Sequence, residues 1–91
     1  MNEKVYKLRN LHHIRARQVD TKNIDEIAEW CKGRVVVISN RKRQEVIEVS
    51  VGDGGLDLAW PGSWVFKNYD GVFYIRSNEW FINHYEEVNH D

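Results

Sequence analysis

Four histidines, one cysteine and 14 carboxylates give this 91-residue chain the raw material for metal binding or acid–base catalysis, so their spacing is decisive. His12 and His13 are adjacent, and on a strand adjacent side chains point to opposite faces, so one ion cannot take both. His84 and His90 stand six residues apart and do not share a helix face. Cys31 falls on the apolar side of a predicted helix, where a thiol behaves as a small buried hydrophobe. No metal ligands are expected. The chain has no Gly-x-Ser-x-Gly elbow to expose a nucleophile. The carboxylate pairs Asp25-Glu26 and Glu86-Glu87 are sequence neighbours that point apart. Gly52-Asp53-Gly54-Gly55 lacks the strand-to-helix context that lets a glycine loop cradle phosphate, and reads as a hairpin turn. The expectation is a non-enzyme with no catalytic residues and no cofactor.

Binding chemistry is better represented. Arg15 and Arg17 alternate along Ile14–Val19 and so share one face of a strand. With Lys4, Lys7, Arg9, His12 and His13 they would form a basic face. Residues 1–43 carry 11 Lys/Arg against 5 Asp/Glu, and residues 44–91 carry 2 against 9. Such polarity steers an acidic partner or supports head-to-tail self-association, unless strands from the two halves pair and mix the charges. Arg41-Lys42-Arg43 reads as a soluble turn. A net charge of −1 and a pI near 6.4 fit a dedicated polyanion binder poorly, and no helix-turn-helix, zinc-finger or RRM signature is present. Nucleic acid is therefore not the expected partner, and weak binding through the basic half stays an alternative.

Eleven aromatic residues are many for so small a core. They either build a core from a few large side chains or leave an interface patch, since Trp, Tyr and Arg carry binding hot spots. Trp60 and Trp64, flanking Pro61-Gly62-Ser63, lead the candidate set, with Arg15, Arg17, His13 and Arg76 as a cationic rim. The expected partner is a protein, with a homodimer open. The rival is a nucleotide-like small molecule, its phosphate paired by Arg15, Arg17 or Arg76 and its base stacked on an aromatic ring.

The elements that must position these residues follow from periodicity. A chain of this length makes one domain, here 14–91, preceded by an arm or edge strand at 1–13. No apolar run approaches the roughly 18 residues of a membrane span, and the opening Met-Asn-Glu-Lys-Val-Tyr-Lys is too polar for a signal peptide. A single cysteine makes no internal disulfide. Ile24–Cys31 predicts a helix capped by Asn23 and Glu26 in the manner of a capping box, with Gly33 as the left-handed stop residue. Arg34–Ser39, Gln44–Val51, Leu56–Trp60, Trp64–Lys67 and Val72–Ile75 read as strands joined by tight turns, hence hairpins. Ser77 caps a helix over Asn78 to about Glu87, with Phe81 and Tyr85 stacked at i, i+4. The expected class is α+β: a curved antiparallel sheet with one helix after the first strand and a short C-terminal helix.

The segment Trp60-Pro61-Gly62-Ser63-Trp64-Val65-Phe66-Lys67, followed by Asn68-Tyr69-Asp70-Gly71-Val72-Phe73-Tyr74 and then by Phe81 and Tyr85-Glu86, resembles the PGDYG-type family of short bacteriophage proteins. Ile14–Gly33, with its Ile-Asp-Glu-Ile-Ala-Glu-Trp-Cys, is similar to that family's N-terminal half. Ser63 departs from the family's Asp. Ile75-Arg76-Ser77-Asn78-Glu79 replaces its usual Pro-Cys-Lys-Pro-Asp, so no role of that cysteine carries over. The resemblance implies a phage origin and action in the host cytoplasm, and it implies no activity; the expectation is a small accessory protein that binds a host or phage protein.

Overall fold

Strand alternation sets most of the architecture. The computed structural model describes residues 4–8, 13–39, 41–52 and 54–88. Along the chain run β1 (Lys4–Leu8), β2 (His13–Gln18), α1 (Ile24–Trp30), β3 (Arg34–Ser39), β4 (Gln44–Ser50), β5 (Leu56–Ala59), β6 (Trp64–Lys67), β7 (Phe73–Arg76), α2 (Asn78–His84) and β8 (Tyr85–Glu87). The class is α+β, as expected. The strands, however, divide into a five-stranded sheet in the order β7-β6-β2-β1-β8 and a three-stranded sheet β3-β4-β5, where a single sheet was anticipated.

The cause of the division is Pro61-Gly62. Trp60–Ser63 closes as a turn with Gly62 at φ 99° and the Ser63 N–H donating to the Trp60 carbonyl at 2.9 Å. Only glycine takes that backbone without strain, and proline suits the position before it. The turn is then tied to the end of β2: the Gly62 N–H donates to the Val19 carbonyl at 2.7 Å, and the Val19 N–H to the Ser63 carbonyl at 2.9 Å. The chain thus leaves the meander of β3, β4 and β5 and re-enters beside β2, with Arg15 opposite Lys67 and Arg17 opposite Val65.

Two further expectations are corrected. Lys4–Leu8 is not an edge strand, because it pairs with β2 on one side and with β8 on the other; residues 1–3 and 9–12 lie outside the described residues. The C-terminal helix stops at His84 rather than near Glu87, and Tyr85–Glu87 becomes the outermost strand. A third strand on the far side of β1 satisfies backbone groups that would otherwise sit on an open edge. Ser77 does cap α2, its Oγ accepting the Trp80 N–H at 3.2 Å.

The ends of α1 also differ from expectation. The Asn23 side chain makes no cap bond to the helix. It is spent on the loop leaving β2, where its Oδ1 accepts the Asp20 N–H at 2.8 Å and its Nδ2 donates to the Gln18 carbonyl at 2.9 Å. At φ −107°, ψ 5° Asn23 is not in the extended geometry of an N-cap. At the other end Lys32, φ 60°, takes the left-handed position in place of Gly33. The Gly33 N–H donates to the Ala28 carbonyl at 2.8 Å and the Lys32 N–H to the Glu29 carbonyl at 3.3 Å, the paired bonds of a Schellman motif.

The five-stranded sheet has a core on each face. Val65 and Phe66, neighbours on β6, are both buried but belong to different clusters. Val65, Ile75 and Val19 join Ile27, Ala28, Ile47, Val49 and Ala59, which docks α1 and the three-stranded sheet on one face. Phe66, Ile14 and Ala16 join Phe81 of α2 on the other, with Trp64, Tyr74 and Tyr85 half-buried around them. The expected placement of Trp64 with Phe66, opposite Val65, is the arrangement found.

Candidate binding surfaces

The six candidate residues are not gathered into one site. Trp60 and Trp64 flank the same turn yet diverge. On β5, Ala59 pairs with Ile47 and is fully buried, so Leu58 (opposite Glu48) and Leu56 (opposite Ser50) lie on the outer face of the three-stranded sheet. Trp60 follows the alternation, and the three are 66% (Leu56), 36% (Leu58) and 46% (Trp60) exposed. Across β4, Glu48 accepts from Arg34 Nε at 2.9 Å and gives this surface a polar margin.

Trp64 turns the other way and is half-buried. Its ring stacks on Phe81 with centroids 4.2 Å apart and planes at 8°, and its Nε1–H donates to Asn78 Oδ1 at 2.9 Å. It is packing for α2. Arg76 lies on this same side, its guanidinium 5.1 Å over the Trp80 ring and donating to the Ile75 carbonyl at 2.8 Å. Trp80 in turn stacks on His84 at 3.9 Å, and His84 Nδ1 donates to the Trp80 carbonyl at 2.7 Å.

Arg15 and Arg17 occupy the opposite face of the five-stranded sheet. Arg17 places its guanidinium 4.6 Å from the centre of the Trp30 ring. Lys67 Nζ approaches the same ring at 5.8 Å and Phe73 at 5.9 Å. Trp30 meets Phe73 edge-on at 5.2 Å, which fixes both rings. Lys67 and Phe73 had no place in the expected site because pairing of β2 with β6 brings together residues about 50 positions apart. The one available signal was Trp30 on the flank of the α1 apolar face. His13 opens β2 opposite Lys7 in the register. The side chains of Lys4, Lys7 and His13, together with Arg9, His12 and His90, lie outside the described residues.

Two surface depressions of about 150 and 160 Å³ are lined by Thr21, Ile24 and Pro61 and by Gly52, Tyr74 and Arg76 among others. Both fall below the roughly 300 Å³ at which pockets enclose a drug-sized ligand. Among the described residues no three His, Cys, Asp or Glu side chains gather to hold a metal, and no helix is long and apolar enough to cross a membrane. Comparison of the chain with family models, with curated proteins and with solved structures finds no match.

Burial pushes the Cys31 thiol up, with hydrogen bonds from the backbone pulling it partly back. Burial likewise raises the Tyr85 phenol, against the opposing charge of Arg76. Both groups are neutral when protonated, so the folded state holds these protons more tightly than the unfolded chain does. Their contribution to stability is complete below the unfolded values, about 8.5 for Cys and about 10 for Tyr, and is lost as pH rises through the folded ones. The melting temperature should therefore fall above about pH 9. Cys31→Ala should show a shallower fall over the first part of that range. Parallel pH profiles for the two proteins would contradict this.

Proposed function

We propose that this chain is a non-enzymatic bacteriophage accessory protein that works in the host cytoplasm by docking on a host or phage protein. The observation that carries the reading is the row Leu56, Leu58 and Trp60, three large apolar side chains left exposed along β5 and the residue that follows it. Soluble proteins rarely leave contiguous apolar surface without use, and Trp is the residue type that most often dominates binding energy. Trp60 is also pre-positioned, since its carbonyl is held by the Ser63 N–H and the turn is bonded to Val19. A fixed aromatic anchor loses little entropy on association. The Arg34–Glu48 pair at the margin supplies the polar rim that such interfaces carry. The phage origin and the cellular compartment rest on the PGDYG-type resemblance of Trp60–Tyr74.

The test replaces Trp60 with a photo-crosslinking phenylalanine derivative and irradiates the protein in host extract. One protein adduct is expected, suppressed by excess wild-type chain and not by Trp60→Ala. Trp60→Ala itself should keep its melting temperature within a few degrees of wild type, since exposed sites contribute about ±0.5 kcal/mol. An adduct that Trp60→Ala suppresses equally well, or no discrete adduct, would sink the reading.

A further inference from the structure

We propose that β3 is a docking edge on which a second copy of this chain adds its own β3 in antiparallel register, joining two three-stranded sheets into one about a two-fold axis. The contact is separate from the Leu56–Trp60 row, because β5 lies at the opposite edge of the three-stranded sheet.

The first ground is a comparison of the sheet edges, β3 and β5 in one sheet and β7 and β8 in the other. An open edge offers unpaired N–H and C=O groups, and proteins blunt it by shortness, charge, proline or a bulge. β5 and β7 have four residues each and carry Asp57 and Arg76; β8 has three and carries Glu86 and Glu87. β3 has six, and beyond Arg34 at its start it reads Val-Val-Val-Ile-Ser, without a charge or a proline. A bulge between Val37 and Ser39 blunts only its far end. Among the described residues no strand pairs with its outer side. The side chains agree. Val35 packs on the cluster of Ile27 and Ile47, yet Val37, two residues on and so on the same face, is 43% exposed. Val36 lies on the other face, opposite Val46, and is only half-buried. Cover is short on both faces, which a strand alongside supplies and a partner laid on one face does not.

The second ground selects the occupant. A two-fold axis normal to the sheet keeps like faces together, so residues opposite one another share a face. Centred on Val36, it brings the two Val36 side chains together and sets each Val35 against the other copy's Val37, and such β-branched pairs stabilise a ladder. Arg34, the one charge of the strand, falls at opposite ends and keeps its own Glu48; a parallel pairing would set the two Arg34 side by side. Beyond β3, the basic turn of each copy runs beside the C-terminal end of the other's α1. Arg41, Lys42 and Arg43 are exposed and hold no ion pair among the described residues. The last turn of α1 has the exposed Glu29 and no basic residue, at a helix end that is itself partly negative. Residues 24–33 carry more acids than bases, Lys32 being the single cation, so the charges complement one another at both ends of the dimer. One operation satisfies both ends, and the assembly closes at two copies. Both Leu56–Trp60 rows then face the same side of the joined sheet, about five strand spacings or ~24 Å apart.

The experiment is sedimentation equilibrium of the purified chain across a range of concentrations. The mass should rise from 10.8 kDa toward twice that value and no further. Val37→Lys places a charge on the exposed edge and should hold the mass at that of one chain. Its melting temperature, taken at a dilution where the wild type is also monomeric, should change by only a few degrees. Glu29→Lys should weaken dimerisation several-fold. Trp60→Ala should leave it unchanged, which separates this contact from the protein-docking surface. Hydrogen exchange of the unmodified chain gives a test that no variant's folding can confuse: amides within Arg34–Ile38 should slow as concentration rises, while those of β5 should not. One-chain mass at every concentration, or growth beyond two copies, would overturn the proposal. So would a dimer indifferent to Val37→Lys or to Glu29→Lys, a dimer lost in Trp60→Ala, or exchange in β3 that ignores concentration.

Discussion

Phe81→Ala should cost about 3–5 kcal/mol, the range for emptying a buried phenylalanine site, and lower the melting temperature by more than about 15 °C. Phe81 is 1% exposed and is the largest of the fully buried side chains among the described residues. Among the described residues its cluster joins Ile14, Ala16 and Phe66, with the half-buried rings of Trp64, Tyr74 and Tyr85 packed against it, and stacked rings held by several partners refill a phenylalanine-sized space poorly. It also holds Trp64 at 4.2 Å and Tyr85 at 4.9 Å. Helix α2 is seven residues long, far below the roughly 12–15 at which a helix persists alone, so its formation depends on this contact. Once α2 detaches, β8 loses its anchor and β1 becomes the sheet edge. Hydrogen exchange should therefore accelerate in Lys4–Leu8 as well as in α2. The neighbouring Ile82→Ala, at a side chain 54% exposed, should change stability by about 0.5 kcal/mol or less. Similar losses for the two variants would mean that α2 is not held through Phe81.

Local signals were legible and long-range ones were not. The alternation of Gln44–Val51 and Leu56–Trp60, the Gly-rich turn between them, the apolar face of α1 and the Ser77 cap all depend on neighbours within a turn or two. Each is found as expected from the sequence. The division into two sheets depends on Pro61-Gly62 bonding to Val19, about 40 residues away, and nothing in the local pattern announces that partner. Tyr85–Glu87 has helical neighbours and no alternation of its own, and becomes a strand only because β1 offers an edge. The cluster of cations around Trp30 has the same origin. Arg15 and Arg17 were visible as a pair, whereas Lys67, Phe73 and Trp30 join them only through the β2–β6 register and the docking of α1. The half-burial of Trp64 has a related cause, since its exposure is decided by α2 folding over it.

Gly33 shows how a residue can be recognised as necessary for the wrong reason, and its substitution carries the second large expected effect. A glycine after a helix suggests a left-handed stop, but Lys32 takes that conformation at φ 60°. Gly33 is needed because β4 passes against its backbone. A Cβ there would stand 2.5 Å from the Glu48 carbonyl oxygen, 3.0 Å from Ile47 Cγ2 and 3.3 Å from Cys31 Sγ. The nearest of these is main chain within a paired strand and cannot rotate away. Gly33→Ala must instead push the start of β3 from β4, weakening the Arg34–Glu48 register and the seating of α1 on Ile47. A loss of about 3 kcal/mol is expected, the upper end of ordinary overpacking. Gly52→Ala supplies the comparison. Its Cβ would meet Tyr74 Oη at 2.4 Å, closer still, but that atom and Val72 Cγ1 at 2.7 Å belong to side chains that can swing aside. Its cost should stay near 1 kcal/mol. Denaturant unfolding of the two variants should therefore rank Gly33→Ala well below Gly52→Ala in stability, although the shorter contact belongs to Gly52. The reverse order would mean that the β3–β4 hairpin yields more readily than the ring of Tyr74, and that the rigidity attributed to the three-stranded sheet, on which the positioning of Trp60 depends, is overstated.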